Sequence, residues 1–138
     1  MDMSGHVRSR GTDLQVTVRT AGTAQVLPVS AKPSGLGSAV NGGELLMAAL
    51  ATCYCNDLYR EAARLGIAID GCEVSATATF NGPGLGAERI SYSARVESSA
   101  SPDQIENLLS QTDRLAEIHN TLRSGCPVRR VAWEGHAA

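Results

Sequence analysis

Large aromatic side chains are nearly missing from this chain, which has one Phe, one Trp and three Tyr in 138 residues. A core without such anchors must close through aliphatic side chains and alanine. Lysine is scarcer still: Lys32 stands alone beside eleven arginines, and no run of like charge occurs. With a formal net charge of −2 the chain has no basic stripe, so no nucleic-acid partner is expected. No apolar stretch reaches the roughly 20 residues of a membrane span, because the longest candidate breaks at Thr52, and no membrane association is expected. A charged start followed by an apolar segment is also lacking, which predicts no secretory signal and a cytoplasmic protein. Neither a phosphate loop, a dinucleotide Gly fingerprint nor a Ser-based nucleophile elbow is found.

The chain does have a strongly patterned succession of elements. The length predicts a single domain over residues 1–138. His6–Arg10 reads as a short first strand, and Leu14–Thr20 alternates apolar and polar with period two, as a half-buried strand does. Ala21-Gly22-Thr23 is a hairpin turn, and Ala24–Val29 returns, with Pro28 near its end. A loop containing Pro33 and several glycines leads into the stretch from Gly43 to Gly66. Leu45–Ala51 is apolar without interruption, the following residues turn amphipathic, and Gly66 closes the segment. These features predict one helix of about six turns, buried all round in its first half. Cys72–Phe80 and Glu88–Ser98 form a second hairpin across an Asn-Gly-Pro-Gly turn. Ser101 as N-cap and Pro102 at the first helical position open a further helix to about Arg123, expected to bend near Gln111–Asp113. Val128–Glu134 is expected to be a last strand. The predicted class is α+β, in the order β-β-β-α-β-β-α-β around a long buried central helix.

Chemistry points to the four cysteines, Cys53, Cys55, Cys72 and Cys126, whose spacing is not that of a secreted disulfide framework. Cys53 sits mid-helix, where a thiol often does no more than pack. Cys126 lies at a helix end before a proline, where extended backbone lets a side chain turn towards a cleft. Cys55 is rotated by roughly 200° from Cys53 on an ideal helix, so the two should neither bridge nor share a metal. Cys72 opens a strand on its apolar side and reads as core. A zinc site would need four converging Cys or His ligands; His6, His119 and His136 do not provide that spacing, so no metal is expected.

Gly43-Glu-Leu-Leu-Met-Ala-Ala-Leu-Ala-Thr-Cys53, followed some seventy residues later by Ser124-Gly-Cys126-Pro-Val, resembles the OsmC/Ohr family of organic hydroperoxide reductases, and its OsmC-like branch in particular. The resemblance spans nearly the whole chain. It implies a thiol peroxidase without metal, flavin or other cofactor, in which Cys53 attacks the peroxide and Cys126 resolves the resulting sulfenic acid as a disulfide. It also implies an external dithiol reductant, of lipoyl type or a small thiol, and an intertwined homodimer with active sites at the subunit interface. The thin cover available to the Leu45–Ala51 run agrees with a dimer. The family's activating arginine matches Arg10 by position, with Arg8 second. Its helix-start glutamate would fall at Gly43, one residue before Glu44. The other reading is the same fold binding a lipid-like or thiol-bearing small molecule, with the cysteines as a redox sensor.

Overall fold

The computed structural model describes residues 1–134 and divides into two compact units, one of Met1–Gly42 with residues 129–134, the other of Gly43–Val128. The first unit is a three-stranded antiparallel sheet of β1 (Met3–Arg10), β2 (Asp13–Thr20) and β3 (Thr23–Leu27), in that order. Register is set by two tight turns. Gly11 (φ 59°) opens the first, which brings Arg10 opposite Asp13, and Ala21 and Gly22 (φ 48° and 81°) form the second, bringing Thr20 opposite Thr23. Two successive left-handed residues match the twist of flanking strands. Val16 and Thr17 of β2 are buried.

The second unit holds α1 (Gly42–Leu65, its first residue belonging to the other unit), the hairpin β4 (Gly71–Phe80) and β5 (Ala87–Glu97), α2 (Pro102–Leu115) and α3 (Glu117–Ser124). The predicted alternation of β4 is realised, since Cys72, Val74, Ala76 and Ala78 are half-buried and the residues between them exposed. Opposite them Val96, Ala94 and Tyr92 turn the same way. That surface, with Leu108, Leu109 and Ala116, encloses Tyr54, Leu58 and Ala62 of α1. Leu58 and Leu108 are wholly buried, and the Tyr54 hydroxyl donates to the Leu109 carbonyl at 2.7 Å, tying α1 to α2. Ser101 caps α2 reciprocally with Gln104, a capping box that satisfies two backbone groups at once.

Three expectations are corrected. The first half of α1 is not buried all round in the single chain: Leu45, Leu46 and Met47 are half-buried and Ala48 and Ala49 exposed. The cover supplied by the hairpin and α2 packs on Tyr54, Leu58 and Ala62, further along the helix. The second helix does not bend near Gln111–Asp113. It breaks at Ala116, whose extended backbone (φ −68°, ψ 105°) ends α2 and begins α3. Asn120 Nδ2 and Arg123 donate to the carbonyls of Arg114 and Asp113 that the break leaves without helical partners. Finally, Val128–Glu134 forms no strand. No ladder partner meets it among the described residues, and extended backbone becomes a strand only where a ladder pairs it; Val128, Val131 and Trp133 are largely exposed. No helix among the described residues is long and apolar enough to cross a membrane.

Candidate active site

The break at Ala116 has a chemical consequence. A helix start leaves backbone N–H groups without partners, and Ala116 has no side chain with which to cap α3. The backbone N–H of Ile118 lies in the first turn of α3 and favours the thiolate of Cys53. The Cys53 thiol is half-buried and points at two carboxylates: its Sγ lies 3.7 Å from Asp57 Oδ2 and 3.7 Å from Glu117 Oε2. Arg60 completes the cluster, 3.0 Å from Asp57 Oδ1 and 3.5 Å from Glu117 Oε1. Cys53, Asp57 and Arg60 come together because offsets of four and seven residues return to the same face of a helix.

The titration directions follow from this arrangement. Burial pushes the Cys53 thiol above its ordinary value; the Ile118 N–H opposes that, and the charges of Asp57 and Glu117 add to it. Burial and the Glu117 charge raise Asp57, with Arg60 opposing. Glu117 is lowered, first by its own backbone N–H and then by a hydrogen bond with Asp57, against some desolvation. The pair therefore divides its work: Asp57 is the carboxyl that keeps a proton longer, and Glu117 is the one that stays ionised. Paired carboxyls with pKa values pushed apart are suited to donate and accept protons in one reaction. Cys53, Asp57 and Glu117 could also converge on a metal ion, their ligand atoms lying within 4.8 Å of one another. The Arg60 guanidinium already supplies a cation to both carboxylates.

Beside the cluster lies a cavity of about 300 Å³ lined by Leu50, Ile90, Ser91, Tyr92, His119, Leu122 and Arg123. Leu50 is one turn before Cys53 on α1, and His119 is two residues after Glu117, whose carboxylate meets the thiol. His119 is 4 % exposed, and neither of its ring nitrogens has a hydrogen-bond partner. It packs edge-on to Tyr92 (centroids 4.5 Å apart) and against Tyr54 (5.7 Å). Burial, with the nearby Arg123 charge, lowers its pKa and favours the neutral ring. Tyr92 in turn donates to Asp113, whose pKa is lowered by hydrogen bonds from Arg123 and Tyr92.

The other expected site residues stand as follows. Cys126 is an exposed free thiol just after Gly125, the left-handed cap of α3, with its Sγ 4.0 Å from the Pro127 carbonyl. Arg10 ends β1 in the first unit, where its register partner is Asp13; Arg8 pairs with the Asp13 carboxylate at 3.6 Å. Glu44 is exposed in the first turn of α1. It precedes Cys53 by nine residues, about 13 Å along the axis and half a rotation around it. Cys72, read from sequence as core, is half-buried and faces Cys55. Sequence reasoning missed Asp57, Arg60, Glu117 and His119. The first two were legible from their spacing to Cys53, while the others depend on where the break at Ala116 falls.

The family model described as OsmC-like protein matches residues 35–130. The chain belongs to the OsmC-like family. Its fold is shared with an OsmC-like protein from Mycoplasma pneumoniae (TM-score 0.64, 19 % identity, covering 88 % of this chain and 86 % of that one). It is shared too with an organic hydroperoxide resistance protein from Elizabethkingia anophelis carrying bound thiocyanate (0.61, 16 %, 89 % of each). A third likeness is to an organic hydroperoxide resistance protein OsmC from Legionella pneumophila, also described as a predicted redox protein (0.57, 17 %, 87 % and 89 %). At these identities the likeness is one of fold. None of the curated proteins is significantly similar in sequence.

Proposed function

We propose that this OsmC-like protein is a thiol-dependent peroxidase that reduces organic hydroperoxides to alcohols at Cys53. The observation that carries the proposal is the setting of that thiol: proton acceptors and a backbone N–H on one side, an apolar cavity beside it. Cys53 gives its proton to the Glu117 carboxylate as the sulfur attacks the peroxide oxygen. The O–O bond breaks, the departing alkoxide takes a proton from the Asp57–Glu117 pair, and Cys53 is left as a sulfenic acid. The Ile118 N–H and the Arg60 guanidinium stabilise negative charge on sulfur and oxygen along the way. The apolar cavity, with Leu50, Ile90 and Leu122, suits the organic part of a substrate and favours it over hydrogen peroxide. Cys126 then displaces hydroxide from the sulfenic sulfur, forming a Cys53–Cys126 disulfide and water. A dithiol of lipoyl type or a small thiol returns both cysteines by exchange.

Family resemblance assigns the activating cation to Arg10 and a carboxylate to Glu44; Arg60, Asp57 and Glu117 supply the same two kinds of group from beside Cys53. The half-bare first half of α1 supports an intertwined homodimer as the working unit. Consumption of cumene hydroperoxide against reduced lipoyl dithiol tests the reading. We expect turnover by the wild type, slower turnover of hydrogen peroxide, and loss to background in Cys53→Ser; wild-type consumption no faster than the uncatalysed rate would overturn it. A second reading, a protein that binds an apolar small molecule without turnover, is favoured by His119, whose buried and unpartnered nitrogens would welcome a polar ligand atom.

A further inference from the structure

We propose that Cys55 and Cys72 are a second redox dithiol, separate from the Cys53 chemistry, which closes to an intramolecular disulfide on exposure to an organic hydroperoxide. Their sulfurs are 3.3 Å apart with one thiol donating to the other, and both side chains are half-buried. The sequence explains the meeting. Cys55 turns away from Cys53 by about 200° around α1, towards β4, where Cys72 occupies an inward-facing position paired with Val96. Burial, and then the neighbouring Cys55, hold the Cys72 thiol above its ordinary value, with Tyr59, one turn beyond Cys55, opposing.

A disulfide requires the sulfurs to approach to about 2.05 Å. That is a further movement of roughly 1.3 Å, within reach of side-chain rotation. Partial exposure admits both oxidant and reductant. The step balances as two thiols and one hydroperoxide giving one disulfide, one alcohol and one water. One sulfur takes the peroxide oxygen as a sulfenic acid while the alcohol departs. The second sulfur then attacks the first, the S–O bond breaks, and the hydroxyl leaves with a proton as water. Two thiols are oxidised by two electrons, and the O–O bond is reduced by two. The product ties the helix carrying Cys53 to the hairpin beneath it, closing a loop that includes the Gly66 turn and thereby limiting the freedom of the unfolded chain.

Peptide mapping of the full-length Cys53→Ser protein tests the proposal. The reduced protein is exposed to excess cumene hydroperoxide, alkylated under denaturing conditions and digested with trypsin, whose cleavage after Arg60, Arg64 and Arg89 places Cys55 and Cys72 on different peptides. We expect a Cys55–Cys72 cross-linked peptide as the dominant product, reversed by dithiothreitol, and a melting temperature several degrees higher in the oxidised form. Recovery of both cysteines as alkylated thiols, or their bridging instead to Cys126 or to another chain, would overturn it. If Cys53→Ser does not fold, Cys126→Ser serves, digested also with chymotrypsin, whose cleavage after Tyr54 separates Cys53 from Cys55. A Cys55–Cys72 peptide then supports the proposal, and Cys55 and Cys72 recovered as alkylated thiols, or Cys72 bridged to Cys53, overturn it. Because Cys53→Ser lacks the proposed peroxidatic thiol, the bridge should form even if the peroxidase reading fails. Wild-type turnover without any bridge would refute this inference alone.

Discussion

Two thiols two residues apart on one helix stand in opposite chemical surroundings. Cys53 faces the carboxylates of Asp57 and Glu117, which Arg60 bridges; Cys55 faces another sulfur. The first setting offers a route for a proton and a place for negative charge. The second offers only a partner for bonding. The difference arises from the rotation between positions 53 and 55 and from what each face meets, α3 on one side and β4 on the other. One helix thus presents a thiol suited to turnover and another suited to cross-linking.

The largest way to break this contrast is to remove the packing that both faces share. Leu58 is wholly buried where α1 meets α2 and the hairpin, so Leu58→Ala should cost about 2–5 kcal/mol. Urea denaturation measures that loss. Alkylation of Cys53 and Cys55 in the variant should proceed at more nearly equal rates, since each thiol loses its fixed surroundings; a cost below about 1 kcal/mol would mean that Leu58 does not hold the two faces apart.

A finer change acts on one face alone. The Glu117 charge helps hold the Cys53 thiol above its ordinary 9.0, so Glu117→Gln should shift the pH midpoint of Cys53 alkylation downwards and leave that of Cys55 in place. The sign follows because a carboxylate beside a thiol opposes thiolate formation. At a fixed neutral pH the variant should therefore alkylate faster at Cys53, yet turn hydroperoxide over more slowly, having lost its proton acceptor. An upward shift, or an equal shift at both cysteines, would remove Glu117 from the account.

Much of the contrast was legible in the sequence. The period-two pattern of residues 72–80, the Gly-Pro-Gly turn and the Ser101-Pro102 start specify the hairpin and α2 locally, and the structure has them. The opposite rotation of Cys53 and Cys55 follows from helical geometry. Its consequence, a thiol pair with Cys72, does not, because the pairing of a helix position with a strand position is set by tertiary packing. The break at Ala116 also escaped, since alanine is a strong helix former and the residues that compensate the break, Asn120 and Arg123, act only once it exists. With it went Glu117 and the Ile118 N–H, which makes half of the Cys53 site invisible to spacing arguments. The last strand was over-read from Val128 and Val131, because alternation predicts a strand only where a partner ladder meets it.

Trapping the first oxidation product tests the difference between the two thiols most directly. Cys126→Ser protein, given one equivalent of cumene hydroperoxide in the presence of dimedone, should carry the sulfenic-acid adduct on Cys53, as digestion and mass spectrometry will locate it. Consumption of the hydroperoxide with no adduct at Cys53, the oxidation falling instead on Cys55, Cys72 or the disulfide between them, would contradict the assignment of peroxide chemistry to the carboxylate-flanked face of α1.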